Sequence, residues 1–120
     1  MINLNEAQAI QQWWEGKMGI DERDKLDRFN RMLEEVDELH EAIEGNASCK
    51  DVALEAVDVF IFCLSIISRC GYDLGGLFVE KMERNHYKYN VDEVQRLREE
   101  GLPLDNILQT MKERWEDETI

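Results

Sequence analysis

The sequence predicts an all-α fold, an antiparallel bundle of about four core helices with a C-terminal helical extension. Two observations support this class. One of the 120 residues is proline, Pro103, so only glycines and small polar residues divide the chain before it. Apolar residues recur at alternating spacings of three and four, which is typical of helices packed along one face. The length suits a single domain over 1–120, which we expect to have its motif-bearing core at about 22–90 and its extension at 91–120.

The first two helices are delimited by glycines and aspartates. We expect a first helix over about 6–17, ended by Gly16 and Gly19. Asp21, with Asp24 three residues on, is the expected cap of a second helix that runs to residue 44 and stops at Gly45. One face of this second helix carries an apolar stripe, which predicts packing on a partner helix. The stripe consists of Leu26, Phe29, Leu33, Val36, His40 and Ile43.

The third helix is the most apolar segment of the chain. Ser48 with Asp51 resembles a capping box that opens it, and the helix should end before Gly71. Its middle, VALEAVDVFIFCLSII at 52–67, is apolar nearly all round, which is typical of a helix buried at the centre of a domain or between subunits. With 16 residues that include two acids, this segment is too short and too charged to span a membrane.

Local signals predict three further helices. Asp73 is the expected cap of a fourth helix that reaches about residue 89. Asn90 with Glu93 is the expected capping pair of a short fifth helix that ends at Gly101. Pro103 suits the first turn of the last helix. An apolar stripe along this helix should dock it on the body of the protein or on a second subunit. The stripe consists of Leu104, Leu108, Met111 and Trp115.

The charge balance restricts the partners of the chain. Its 27 acidic and 14 basic side chains give a formal charge of −13, which argues against nucleic acid bound along a basic face. A small anionic ligand requires a divalent cation to reverse the field where acids cluster. Cys49, Cys63 and Cys70 form no Cys-x-x-Cys pair, and the N-terminus lacks the pattern of a signal peptide. We therefore expect a cytoplasmic protein that binds neither nucleic acid nor membrane.

Two acidic pairs are the most informative feature for function. Glu55 and Asp58 lie three residues apart inside the apolar third helix, about 60° apart around its axis. A buried carboxylate is normally protonated, paired or bound to a metal. Glu35 and Glu38 have the same spacing on the second helix, where an ordinary solvated face is the alternative interpretation.

A short antiparallel turn would bring the two pairs together. Positions 38 and 55 are nearly equidistant from a loop centred at about 46, so they come level when the two helices fold back on each other. Oxygen ligands without His or Cys select hard cations, Mg²⁺ first and Mn²⁺ next, and Mg²⁺ typically meets substrate phosphates. We therefore predict a metal site whose ligands are Glu35, Glu38, Glu55 and Asp58.

The acids also form a family motif. EEVDE at 34–38 and EAVD at 55–58 resemble the EExxE…ExxD signature of the MazG-like all-α nucleoside triphosphate pyrophosphohydrolases, and the resemblance covers roughly 26–89. It implies Mg²⁺-dependent cleavage between the α and β phosphates of a (deoxy)nucleoside triphosphate, with nucleotide-pool house-cleaning as one role. Glu35 and Glu38 would act with Glu55 and Asp58 as Mg²⁺ ligands. Glu34 would orient or deprotonate the attacking water, or support the ligands.

The resemblance also implies substrate contacts on the fourth helix. Lys81 matches a phosphate partner, and Asn85 matches a polar contact to sugar or base. Arg84 and Lys88 form a second couple at helical spacing that points to phosphate, with a solvated basic edge as the alternative. These residues place positive charge selectively within an acidic chain.

Base recognition and assembly are less constrained. Trp14 is the candidate for stacking on the base, while the alternative assigns the adjacent Trp13 and Trp14 to the core and to a subunit interface. Members of the family associate, and the third helix is apolar enough to need further cover. We therefore expect a homodimer or a dimer of dimers.

Two other functions are compatible with the sequence. A carboxylate-bridged di-iron bundle uses Glu-x-x-His motifs, and Glu83-x-x-His86 and Asp37-x-x-His40 approximate that pattern. His40 falls on the apolar stripe, however, and His86 lies near the end of its helix. The other alternative is a helical binding or regulatory module that retains the fold and has lost the chemistry.

Overall fold

The computed structural model describes residues 1–119 and confirms the all-α class. Over these residues the chain forms helices and loops and contains no strand. The elements are α1 (Leu4–Met18), a 3₁₀ turn (Ile20–Glu22), α2 (Lys25–Glu44), α3 (Cys49–Arg69), α4 (Leu74–Lys88), α5 (Val91–Glu99) and α6 (Leu104–Thr119). None of the helices in the described part of the chain has both the length and the apolarity to cross a membrane.

The chain divides into two compact units, Met1–Gly76 and Leu77–Ile120. The first unit contains α1, the 3₁₀ turn, α2, α3 and the first turn of α4. The second contains the rest of α4 with α5 and α6, and α5 packs on α6. The expectation of a single domain with its core at about 22–90 stays a prediction.

Several helix ends are fixed by the predicted caps. The Ser48 hydroxyl accepts a hydrogen bond from the Asp51 amide at 3.1 Å, and the Asn90 side chain accepts one from the Glu93 amide at 3.0 Å. The cap of α2 is Asp24, which accepts from the Asp27 amide at 2.8 Å, so α2 starts later than a cap at Asp21 would place it. Asp21 lies instead in the 3₁₀ turn.

The start of α4 is held by side chains of α1. Gln8 accepts a hydrogen bond from the Leu74 amide at 2.7 Å, and Asn5 accepts one from the Gly75 amide at 2.8 Å. A Cβ at Gly75 would lie 2.9 Å from the side-chain oxygen Oδ1 of Asn5, so glycine permits this close approach. Asp73, the cap that the sequence predicts, directly precedes this helix. The contacts of Asn5 and Gln8 could not be predicted, because they come from residues that are distant in the sequence.

A buried polar network joins α1 to α3. The carboxylate of the buried Glu15 accepts hydrogen bonds from Ser65 at 2.6 Å and from Arg69 at 3.1 Å. Arg69 also donates to the backbone carbonyls of Ile20 and Arg23, at 2.9 and 2.6 Å. One guanidinium therefore connects α1, the 3₁₀ turn and α3.

Helices α2 and α3 form an antiparallel pair. The Arg28 guanidinium lies 5.5 Å from the ring centroid of Phe62, while the sulfurs of Met32 and Cys63 are 3.8 Å apart. Further along α2 a carboxylate oxygen of Glu35 lies within 4.8 Å of its counterparts on α3. Later residues of α2 therefore lie beside earlier residues of α3, so the two helices run in opposite directions. This pairing places the acidic residues of both helices at one level.

Few apolar side chains are buried. In α3 only Leu64 and Ser65 are buried within the described residues, although the whole middle of this helix was expected to be covered. The apolar stripe of α2 is also largely exposed, with Leu26 at 64% and Ile43 at 57%. In the second unit Met111 is buried, as its place in the stripe of α6 indicates.

Candidate metal centre and adjoining cavity

Three carboxylates from two helices meet between α2 and α3. Glu35, Glu55 and Asp58 each offer one oxygen, and these oxygens lie within 4.8 Å of one another. The spacing of three residues puts Glu55 and Asp58 on the same side of α3, and the antiparallel pairing brings Glu35 opposite them. Across residues 1–119 this is the one such group of acids, histidines or cysteines with metal-ligand geometry.

Glu38, the fourth predicted ligand, is exposed and lies outside this group of three, but it acts on two of its members. Burial raises the pKa of Glu35 to about 7, assisted by the hydrogen bond and negative charge of Glu38 and by the charges of Asp58 and Glu55. Burial also raises the pKa of Glu55, and the charges of Glu38, Asp58 and Asp51 act in the same direction. The close approach of these carboxylates therefore favours a bound proton or a cation at Glu35 and Glu55.

One oxygen of the group has no partner. Oε2 of Glu55 is buried and receives no hydrogen bond within the described residues. A buried carboxylate oxygen without a donor is unfavourable, and a coordinated cation would satisfy it. The donors are all carboxylate oxygens, which suit Mg²⁺ or Mn²⁺. The residues present therefore fit a hard divalent cation.

Neither candidate histidine belongs to this group. His40 lies 3.1 Å from the Glu44 carboxylate, and both side chains are largely exposed. His86 belongs to the second unit, where it lines a shallow surface cavity with Glu83. The cluster therefore lacks the imidazole ligands that a di-iron bundle of the Glu-x-x-His type requires.

A cavity of about 700 Å³ adjoins the acidic group within the first unit. Its volume falls in the range of small-molecule binding sites. Glu35 and Asp58 line it, so the cavity reaches the cluster directly. The other lining residues are Ile10, Gln11, Trp13, Trp14, Ile20, Arg23, Arg28, Arg31, Glu34, Ile61 and Phe62.

Aromatic and cationic side chains share this cavity. Trp13 and Trp14 both line it, at 64% and 45% exposed, although their directions on α1 differ by about 100°. Arg28 is 8% exposed and is paired with Asp27, and its hydrogen bond is the main cause that lowers the pKa of that carboxyl group. The cavity thus offers flat apolar surfaces and positive charge beside the carboxylates.

The remaining predicted site residues lie in two places. Glu34 lines the cavity and is 3.5 Å from the Arg31 guanidinium. The predicted substrate residues of α4 belong to the second unit, where Arg84 pairs with Glu80 at 3.0 Å and Lys88 lies 5.1 Å from the Tyr89 ring centroid. Lys81 and Asn85 are on the same part of α4.

The sequence interpretation missed the arginines of the cavity. Arg23, Arg28 and Arg31 lie close together in an acidic chain, and this local excess of positive charge was a usable signal. The family resemblance implies the basic residues of α4 instead.

No protein-family model matches the chain, and no curated protein or solved structure matches it significantly.

Proposed function

We propose that the protein is a Mg²⁺-dependent nucleoside triphosphate pyrophosphohydrolase of the MazG-like type. The observation that carries this proposal is the convergence of Glu35, Glu55 and Asp58 around a buried, unpartnered oxygen at the edge of a cavity lined by two tryptophans and three arginines. Oxygen ligands, aromatic surfaces and cations are the groups that bind the metal, the base and the phosphates of a nucleotide.

The chain's own residues have separate roles in this reaction. Glu35, Glu38, Glu55 and Asp58 would hold Mg²⁺, which would polarise phosphoryl oxygens and lower the pKa of water. Glu34, at the cavity wall, orients or deprotonates the water or supports the ligands. Water adds across the α–β phosphoanhydride, the bridging P–O bond breaks, and monophosphate and pyrophosphate leave.

Substrate binding uses Trp14 for the base. Its partly exposed indole lines the cavity, where a ring can stack on it. On α4, Lys81 and Asn85 contact phosphate and sugar or base, and Arg84 and Lys88 supply further positive charge. The assignment of these α4 residues rests on the family resemblance.

We further propose that the cytoplasmic protein is a homodimer or a dimer of dimers, built from an antiparallel bundle of about four helices per chain. The support is the exposed apolar surface of α2 and α3, where Leu33, Leu54 and Val57 are 45–52% exposed. Exposed apolar patches of this kind mark association surfaces.

The test is a panel of ordinary, deoxy and modified nucleoside triphosphates incubated with Mg²⁺, with products identified by ³¹P NMR. We expect at least one to give monophosphate and pyrophosphate. Asp58→Asn should reduce kcat by at least about a hundredfold, because it removes a ligand of the metal that stabilises transition-state charge. Asp37→Asn removes an exposed carboxylate of α2 outside the cluster and should leave kcat unchanged.

The products separate this proposal from its alternatives. A folded protein that cleaves no triphosphate in the panel would overturn the enzyme assignment and favour a binding or regulatory module. Purification with iron absorbance and without triphosphatase activity would favour the di-iron alternative. Release of orthophosphate alone would mean that the bond between the α and β phosphates is not the one cleaved.

A further inference from the structure

We infer that Arg23 and Arg31 form the phosphate-binding surface of the cavity beside the metal centre. The inference rests on the proposed function, because it assigns which residues of the first unit bind the polyphosphate. It extends that function by assigning phosphate recognition to Arg23, just before α2, and to Arg31, within the first half of α2, in addition to the residues of α4.

The position of Arg31 relative to the acids supports this role. Arg31 precedes Glu35 by four residues on α2, so the two side chains share a helix face and lie about 6 Å apart along its axis. Both line the cavity. A polyphosphate that meets a cation at Glu35 can therefore extend to Arg31 without leaving the cavity.

Arg23 and Arg31 are available to a ligand, whereas Arg28 is already engaged. Within residues 1–119 no hydrogen bond or ion pair occupies the Arg23 guanidinium. Arg31 pairs with Glu34 at 3.5 Å, and both side chains are more than 60% exposed, so this pair is weak. The charges of Arg23 and Arg31 also act on Asp27, whose hydrogen bond is with Arg28. Arg28 is buried, paired with Asp27 and stacked near Phe62, so it holds the cavity wall.

The backbone that carries Arg23 is held in place before any ligand binds. Arg69 donates hydrogen bonds to the carbonyls of Ile20 and Arg23, and Arg69 is itself paired with the buried Glu15. A loop fixed in this way loses less conformational entropy on binding. Arg69 is therefore a positioning residue for the cavity wall.

The chemistry of these side chains favours phosphate over other anions. Guanidinium groups bind phosphate oxygens through paired charge-assisted hydrogen bonds, which are stronger than neutral ones. Trp13 and Trp14 line the same cavity and offer flat surfaces for a nucleobase. The combination of ring surface, arginines and carboxylate cluster fits a nucleoside polyphosphate better than an isolated inorganic anion.

The test compares Arg23→Gln/Arg31→Gln with the wild-type protein in binding to an α,β-methylene nucleoside triphosphate, whose bridge resists hydrolysis. The base is that of the best substrate, or each common base in turn if none is cleaved. With Mg²⁺ present, we expect the double variant to weaken analogue binding at least about tenfold, since two charge-assisted contacts are lost. Binding of the unphosphorylated nucleoside and of Mn²⁺ alone should change less than twofold.

Lys17→Gln/Lys25→Gln is the matched control. It also removes two positive charges, at exposed residues of α1 and α2 that do not line the cavity. If the arginines contact the phosphates directly, analogue affinity in this control should stay within about twofold of wild type. An equal loss of affinity in the control would overturn the inference in favour of long-range attraction.

The outcomes for this inference and for the proposed hydrolysis differ. Arginine-dependent binding of the analogue without turnover of any triphosphate would retain the phosphate surface and remove the enzyme assignment. Hydrolysis with KM unchanged in the double variant would retain the enzyme and overturn the phosphate surface. Failure of the wild-type protein to bind any analogue in the presence of Mg²⁺ would overturn both.

Discussion

At the residue scale, the carboxylates of α2 and α3 could be predicted while the shape of their surroundings could not. The spacing of Glu55 and Asp58 in an apolar helix indicates a shared direction, because the helical repeat is fixed. The unpartnered Oε2 of Glu55 is a consequence of packing and has no signature in the sequence. The same holds for the cavity, in which residues of α1 and α3 meet Arg23 and Arg31.

Protonation of Glu35 should make the proposed metal binding depend on pH. Its pKa of about 7 lies above the ordinary value of 4.5, so below pH 7 a proton occupies the group and must leave before the cation binds. We expect Mn²⁺ affinity, measured by isothermal titration calorimetry, to be level above pH 7.5. It should fall by up to about tenfold per pH unit below pH 7.

Glu35→Gln provides the control for this pH dependence. The variant should bind Mn²⁺ more weakly at pH 8, and its affinity should change less between pH 8 and pH 6 because the principal titrating group is gone. Equal wild-type affinity at pH 6 and pH 8 would contradict a raised pKa at this carboxylate.

At the element scale, helix ends fixed by neighbouring residues were predictable and those fixed by distant residues were not. Ser48 and Asn90 cap α3 and α5 through amides three residues on. The start of α4 depends on Asn5 and Gln8, which lie more than sixty residues earlier in the chain. Asp24 rather than Asp21 caps α2, because Asp21 itself lies within the 3₁₀ turn of Ile20–Glu22.

The Glu15–Arg69 pair is expected to stabilise the contact between α1 and α3. The Glu15 side chain is 4% exposed and that of Arg69 is 13% exposed, so removal of one partner leaves a buried charge without its counterpart. Glu15→Ala should lower the free energy of unfolding by about 3 kcal/mol in urea denaturation. Glu41→Ala, at an exposed position of α2, should change it by less than about 0.5 kcal/mol.

A double variant separates the buried charge from the lost packing. Glu15→Leu with Arg69→Met removes both charges while retaining apolar volume, and should be more stable than Glu15→Ala alone. If Glu15→Ala is as stable as the wild-type protein, the network does not join these helices in solution.

At the scale of the whole molecule, the sequence located the apolar stripe of α2 but did not predict how exposed that stripe is in the single chain. Periodicity identifies residues that share a face, whereas it contains no information about what covers that face. Leu26, Leu33 and Ile43 remain 45–64% exposed in the single chain. The proposed oligomer would cover these side chains, since association removes apolar area from water.

Self-association should depend on this stripe. We expect the wild-type protein to sediment as a dimer or tetramer at micromolar concentration. Leu33→Gln/Ile43→Gln should weaken assembly at least about tenfold, because two apolar contacts are replaced by amides that require solvation. Glu41→Gln, a polar exchange on the same helix, should leave the sedimentation coefficient unchanged. A wild-type monomer at these concentrations would contradict the proposed assembly.

We propose above all that the acids between α2 and α3 bind a divalent cation. Electron paramagnetic resonance of free Mn²⁺, titrated with protein at pH 8, tests it without any assumption about substrate. We predict that the wild-type protein removes the free-ion signal and that Mg²⁺ restores it by competition, while Asp58→Asn loses most of this binding and Asp37→Asn retains it. Equal Mn²⁺ binding by Asp58→Asn and Asp37→Asn would contradict the claim.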